Sequence, residues 1–185
     1  MGRWEADARG RLRKAAMELY ADRGYDQTTV AEIAQRAGLT ERTFFRHFAD
    51  KREVLFSGSE NLQEAIVGAV ESAPASATAI EAVAAGIETA GDYVNDRDYS
   101  RQRQAIIAAN PTLQERELIK MAALAGAIAG ALRKRGVTEP AASLTAEAGT
   151  AVFRVAFGRW IQESKKDLRA FIRESMEELR GAVAR

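Results

Sequence analysis

The 185-residue sequence has no cysteine and a single histidine. Without thiols there is no disulfide, no cysteine-based zinc site and no thiol nucleophile. One imidazole cannot build a histidine metal cluster, so neither a metal nor a cofactor is expected. No stretch approaches the roughly 18–20 apolar residues that span a bilayer, and no membrane partner is expected. The arginine-rich amino end, residues 1–14, lacks the apolar core of a secretory signal. Together these absences point to the cytoplasm. An excess of one charge is also missing: 27 Lys and Arg face 26 Asp and Glu, net +1. A uniformly basic nucleic-acid coat is thereby excluded, and any nucleic-acid face must be local.

What is present is ordinary globular material, 46% hydrophobic and 29% charged, enough for one mid-sized domain or two small ones. Positive charge is clustered. Residues 1–14 carry net +3, and so do residues 36–52. Either run alone could be a solvated surface. Alternating β-branched runs between turns are absent and alanine is abundant, so the chain reads as all-α.

Helix starts are marked by Thr29-Val30-Ala31-Glu32 and Thr78-Ala79-Ile80-Glu81, which have capping-box spacing. Asp50 before Lys51-Arg52-Glu53 is similar, Asn110-Pro111 places a cap before a first-turn proline, and Ser164 or a neighbour can cap the last helix. Apolar spacing predicts about nine helices, near 6–23, 30–37, 40–48, 51–71, 80–94, 98–109, 111–135, 140–162 and 165–183. A boundary between residues 50 and 51 is expected, with helix 51–71 connecting two domains.

The informative segment is 24–51. Two short helices meet at Gly38, and Ala34 and Ala37 keep the first narrow where they cross. Glycine permits the tight turn. This is helix-turn-helix design, in which the second helix is presented to a DNA major groove. Arg42 and Arg46 stand four apart on similar faces and can grip guanine or phosphate. Thr40 and Thr43 can donate to phosphate or to a base. Lys51 can hold a phosphate. Phe44 and Phe48 fall at core spacing. His47 has no nucleophile or acid pattern around it, and the sequence offers no pair for catalysis, so an enzyme is not expected.

Ala15-Ala16, Leu19-Tyr20, Gly24-Tyr25, Thr28-Thr29-Val30, Ile33-Ala34, Ala37-Gly38-Leu39, Phe44-Phe45-Arg46-His47-Phe48 and Lys51 make the stretch 12–56 resemble the DNA-binding domain of TetR-family transcriptional regulators. The resemblance implies an amino-terminal three-helix DNA-binding domain, residues 1–50, and a helical-bundle ligand-binding and dimerisation domain, residues 51–185. It implies a homodimer on a palindromic double-stranded DNA operator, repressing until a small, largely apolar effector binds. Thr29, His47 and Lys51 would touch phosphates, and Thr40, Glu41, Arg42 and Thr43 would read sequence. Phe45 stands where a tyrosine commonly contacts the backbone and lacks that hydroxyl; Arg46 can replace or strengthen the contact. Glu41 can accept from cytosine or pair with an arginine.

Nothing in 72–185 names the effector. Tyr93, Arg101, Gln104 and Ile107 gather near the fifth-to-sixth helix passage, and Phe153 and Phe157 can form a far wall or plain core. Residues 101–117 resemble a subgroup for which acyl thioesters are proposed ligands. There Arg101 and Arg103 would meet phosphates, or else pair with Asp96, Asp98 or Glu117. Ala148, Gly149, Ala151, Val152, Val155, Ala156 and Gly158, with Leu168, Phe171, Ile172, Met176 and Leu179, are candidates for a four-helix dimer seam, or for burial within one chain. Two rival functions stay open: a helical small-molecule-binding protein, and a nonspecific DNA-organising protein.

Overall fold

A computed structural model describes residues 3–183. Among them there are ten helical segments and no strand, so the fold is all-α. They are α1 (Arg3–Arg23), α2 (Val30–Arg36), α3 (Glu41–His47), α4 (Ser59–Ser72), α5 (Ala79–Glu88), α6 (Ala90–Tyr93), α7 (Arg97–Ala108), α8 (Pro111–Lys134), α9 (Ala141–Gln162) and α10 (Leu168–Val183). No helix among the described residues is long and apolar enough to cross a membrane.

The chain forms two compact units. One holds the residues up to Ser57 together with Gln102–Glu117; the other holds Gly58–Arg101 and the residues from Leu118 onward. The boundary therefore falls later than the expected 50/51, and a distant segment joins the first unit. Side chains explain both facts. Val54, Leu55 and Phe56 are buried. Arg103 Nε donates to the Leu55 carbonyl at 2.6 Å, and its guanidinium lies 5.1 Å from the Phe56 ring centre. Arg116 pairs with Glu53 at 2.7 Å.

The expected helix over 51–71 is shorter than its spacing suggests. Residues 51–58 are turns, and regular helix begins at Ser59. Gly58 causes the break: its φ is 90°, a left-handed backbone that costs other residues about 1–2 kcal/mol. Asp50 caps this turn segment instead of a helix, accepting the amides of Arg52 at 2.7 Å and Glu53 at 3.2 Å.

In the first unit α1, α2 and α3 pack on one another. Leu12, Ala16, Leu19 and Tyr20 of α1 are buried, as are Ile33 and Ala34 of α2 and Phe44 of α3. Phe44 and Phe48 have ring centres 5.5 Å apart, and a buried phenylalanine contributes about 1.5–3 kcal/mol. The capping box at Thr29 forms in full: its hydroxyl accepts the Glu32 amide, and the Glu32 carboxylate accepts the Thr29 amide. The chain turns at Gly38, φ 65°, where the Leu39 amide reaches back to Ala34 at 2.8 Å. Arg11 closes this turn from outside, donating to the carbonyls of Ala37 and Gly38.

The second unit has a continuous core in which Ile66 and Val70 of α4, Val83 and Ile87 of α5, Ile128 and Leu132 of α8, Ala156 of α9 and Ile172 of α10 are all buried. The helix expected over 80–94 is two. It breaks at Thr89, whose hydroxyl turns back to the Gly86 carbonyl at 2.7 Å, and one further turn, α6, follows. Asp167 rather than Ser164 caps α10, accepting the Ala170 amide at 2.8 Å. Asn110 precedes the first-turn Pro111 as expected, its carbonyl accepting the Gln114 amide at 3.0 Å, while its side-chain amide reaches backward to the Ile106 carbonyl at 2.6 Å and closes α7. The end of α9 is closed by cations: Arg97 Nε donates to the Trp160 carbonyl and Arg101 Nε to that of Ile161, each at 2.8 Å. A guanidinium at helix-end carbonyls also complements the helix dipole.

Candidate nucleic-acid interface

Seven residues make α3. Thr40 caps it, accepting the Thr43 amide at 3.2 Å, with the two hydroxyls 3.0 Å apart. Burying Phe44 fixes the rotation of the helix and turns the other side outward. Thr40, Glu41, Arg42, Phe45 and Arg46 are exposed there, while Thr43 and His47 are half-buried. Phe45 is 55% exposed and adds an apolar ring to that face. The structure thus brings the sequence-reading candidates together on one open face, two arginines among them.

Thr29 lies at the start of α2. Its hydroxyl is already engaged, 2.9 Å from the Glu32 carboxylate. Hydrogen bonds from the Thr29 backbone amide, then from its hydroxyl, hold the Glu32 carboxyl below its ordinary range. Glu32 also pairs with Arg23 at 2.9 Å. A phosphate at Thr29 would meet a charged carboxylate beside it.

Lys51 departs further from its expected role. Its ammonium donates to the carbonyls of Tyr25 at 2.8 Å, Thr28 at 2.9 Å and Asp26 at 3.3 Å. It also stands 4.3 Å from the centre of the Tyr25 ring. Three protons meet three carbonyls, so the expected phosphate contact has no proton left for it in this geometry. The carbonyl of Lys51 accepts the Tyr20 hydroxyl at 2.7 Å. Burial drives the Tyr20 phenol far above its ordinary value, with Tyr25 and Asp50 pushing the same way, so it stays a donor. Beside it, burial pushes the Asp50 carboxyl up, but hydrogen bonds from the Arg52 side chain and the Glu53 and Arg52 amides prevail and hold it low.

Arg11 belongs to this site and was missed as an individual. It was visible in the sequence only as part of a basic run, because nothing local marks an arginine that reaches 26 residues ahead to a turn.

The remaining candidates divide. Gln104 and Ile107 lie in the first unit, Gln104 donating to Glu117 at 3.4 Å and Ile107 fully buried. Tyr93, Arg101, Phe153 and Phe157 lie in the second. Phe153 is buried with its ring centre 6.2 Å from that of Phe157, which is core packing, and Tyr93 is 52% exposed. Arg101 pairs with Asp98 at 2.9 Å and Arg103 with Glu117 at 3.2 Å. The arginine pair on which an acyl-thioester grip would rest is held by the chain's own carboxylates.

The expected dimer seam needs correction. Val152, Ala156, Phe171, Ile172 and Met176 are all buried within a single chain, where α9 and α10 pack on each other and on α5. Of the seam candidates on α9, Val155, at 53%, and Ala151 are exposed, and Ala148 and Gly158 half-exposed. On the side of α9 away from that core stand Leu144, Ala148, Ala151, Val155 and Gly158, exposed or half-exposed. Their spacing of four and three places them in one stripe.

Three helices crossing over Phe44, with α3 open on its outer side, define a helix-turn-helix protein. The chain belongs to the TetR family of bacterial regulatory proteins: residues 12–57 match the family model "Bacterial regulatory proteins, tetR family", and residues 63–184 match the model "MftR C-terminal domain". Among its relatives is the HTH-type transcriptional regulator TcmR of Streptomyces glaucescens, 34% identical over 108 residues, 58% of this chain and 48% of that protein. The chain therefore spans about half the length of that curated relative. Among solved structures, the TetR transcriptional regulator from Nitrosomonas europaea aligns over 96% of this chain and 98% of its own, with a TM-score of 0.65 and 17% identity. Thermus thermophilus FadR, a TetR-family repressor in complex with lauroyl-CoA, aligns over 91% of both chains, with a TM-score of 0.53 and 23% identity. These two likenesses are of fold.

Proposed function

We propose that the protein is a homodimeric transcriptional regulator that binds a palindromic DNA operator through α3 and is released by a small, largely apolar effector. One observation carries the DNA contact: the outer face of α3 is open and holds Thr40, Arg42, Phe45 and Arg46 together. A helix of this length fits a major groove. Arg42 and Arg46 reach base edges or phosphates, Thr40 and Thr43 add hydroxyls, and His47 lies toward the backbone. Glu41 accepts from a cytosine amine. Phe45 offers an apolar edge to a thymine methyl or a sugar. The stripe on α9 supports the dimer, because an apolar helix face at this exposure is suited to a second copy of itself. Family membership and the acyl-CoA-bound FadR fold support an effector of apolar character, held in the second unit.

Mobility shift on the DNA flanking the gene tests this reading. A complex that survives excess unrelated DNA is expected, with log affinity falling by about 0.9 per log unit of salt for each phosphate neutralised. Equal competition by unrelated DNA would make the protein a nonspecific binder, and absence of any complex would leave the second unit's ligand as its sole business.

A further inference from the structure

Cationic side chains in a helix-turn-helix have two possible destinations: outward to a phosphate or inward to a carbonyl. Lys51 points inward. Its ammonium gathers the carbonyls of Tyr25, Asp26 and Thr28, three of the residues in the short connection between α1 and α2. That connection ends in Thr29, the cap that starts α2. Other contacts hold the connection as well: Tyr25 is buried with its ring centre 5.3 Å from that of Tyr20, and the Gly24 amide donates to the Tyr20 carbonyl at 3.1 Å. Thr28 is buried and its hydroxyl donates to the Gly24 carbonyl at 2.8 Å, while the Thr28 amide reaches Tyr25 at a long 3.3 Å. Carbonyls turned toward one point repel one another, so this bend requires a cation at its focus. Lys51 itself is anchored, since its own carbonyl takes the hydroxyl of buried Tyr20 on α1. The other end of α2 has the same arrangement, with Arg11 on the carbonyls of Ala37 and Gly38.

We propose that Lys51 is a positioning residue, which sets the start of α2 and hence the placement of α3 on DNA, and is not a phosphate ligand. This rests on the DNA-binding reading and specifies how one of its residues acts. A compact ammonium with three rotatable protons suits three converging carbonyls; a planar guanidinium does not, although it serves a phosphate as well or better. The two roles therefore respond differently to substitution and to salt.

The test uses the full-length protein, well below each variant's melting midpoint, with an operator fragment titrated at several salt concentrations. For Lys51→Met a loss of affinity on the order of tenfold is expected at every salt concentration, as the binding-competent fraction falls, with the salt slope unchanged. Lys51→Arg is expected to lose affinity likewise, again with the slope unchanged. A merely structural role would leave the affinity of folded protein unmoved. A slope lower by about 0.9 for Lys51→Met, or wild-type affinity for Lys51→Arg, overturns the proposal. Should Lys51→Met not fold, Lys51→Arg carries the test alone. Hydrogen exchange supplies an arm that needs no DNA: the amides of residues 25–37 exchange faster in the variants if Lys51 is a clamp and at the wild-type rate if it is not. Failure of the wild type to bind any operator defeats the regulator reading and leaves this arm to decide the clamp.

Discussion

Of the seven phenylalanines Phe45 alone is exposed. Its ring stands 55% exposed on a face otherwise built of threonine, arginine and Glu41. Nothing in the first unit needs it there, since Phe44 beside it fills the interior. Its edge lies against Phe44, ring centres 5.5 Å apart, which directs the ring without covering it. A hydroxyl added at its tip would enter solvent in the free protein and reach a phosphate in the complex. Phe45→Tyr is therefore expected to tighten operator binding about two- to tenfold, the worth of one hydrogen bond, without moving the melting midpoint; fluorescence anisotropy and a thermal melt check the two halves. The two arginines separate by the same logic. Arg42→Ala is expected to relax preference at one base position, by about 1–3 kcal/mol of discrimination. Arg46→Ala is expected to weaken all sequences alike and to lower the salt slope by about 0.9. A binding-site selection with each variant, and a salt titration, distinguish them.

Elements follow from periodicity where one face is buried by the chain itself. The crossing of α9 over α5 depends on Gly149, because a methyl group there would overlap the Val83 side chain. Gly149→Ala is expected to destabilise the protein by about 1–3 kcal/mol through overpacking. Gly68, on the exposed side of α4, has open space where a methyl would go, and Gly68→Ala is expected to stabilise by up to about 1 kcal/mol through helix propensity. Urea midpoints of opposite sign check the pair. This contrast also marks what a sequence can say. The helical class, the boxes at Thr29 and Thr78 and the cores at Leu12 and Phe44 were legible, since caps and apolar spacing are local signals. The break at Gly58 was not, because an apolar stripe continues across it and only the backbone angle reveals the stop. The α3 face was legible through Phe44 and Phe48, which fix its inner side. The carbonyl contacts of Lys51 were not legible, because a lysine's sequence position does not say whether carbonyls converge on it from a turn 23–26 residues earlier.

Where a second copy could meet this one depends on which side of α9 is left over. Apolar residues occur on both sides of this helix, and the sequence does not say which side its own chain takes. Ala142, Ala146, Gly149, Val152 and Ala156 face inward and are buried. Leu144 is 66% exposed and Val155 is 53% exposed, with the small residues Ala148, Ala151 and Gly158 on the same side. From Leu144 to Gly158 the stripe runs about 21 Å at 1.5 Å per residue, long enough for two helices to cross with their backbones close. Val155→Glu places a charge within it, one step from its carboxyl end. Because the side chain already lies half in solvent, the single-chain fold has no reason to fail, but a carboxylate between two apposed helices would be desolvated without a partner. The wild type is expected to sediment at twice 20.2 kDa and the variant at that mass. Binding to a single half-site should be unchanged, whereas affinity for the full palindrome should fall about 10²–10⁴-fold as the second head loses its effective concentration. A variant that stays dimeric removes α9 as the seam, and one that dissociates yet keeps full affinity removes the dimer from the mechanism of recognition.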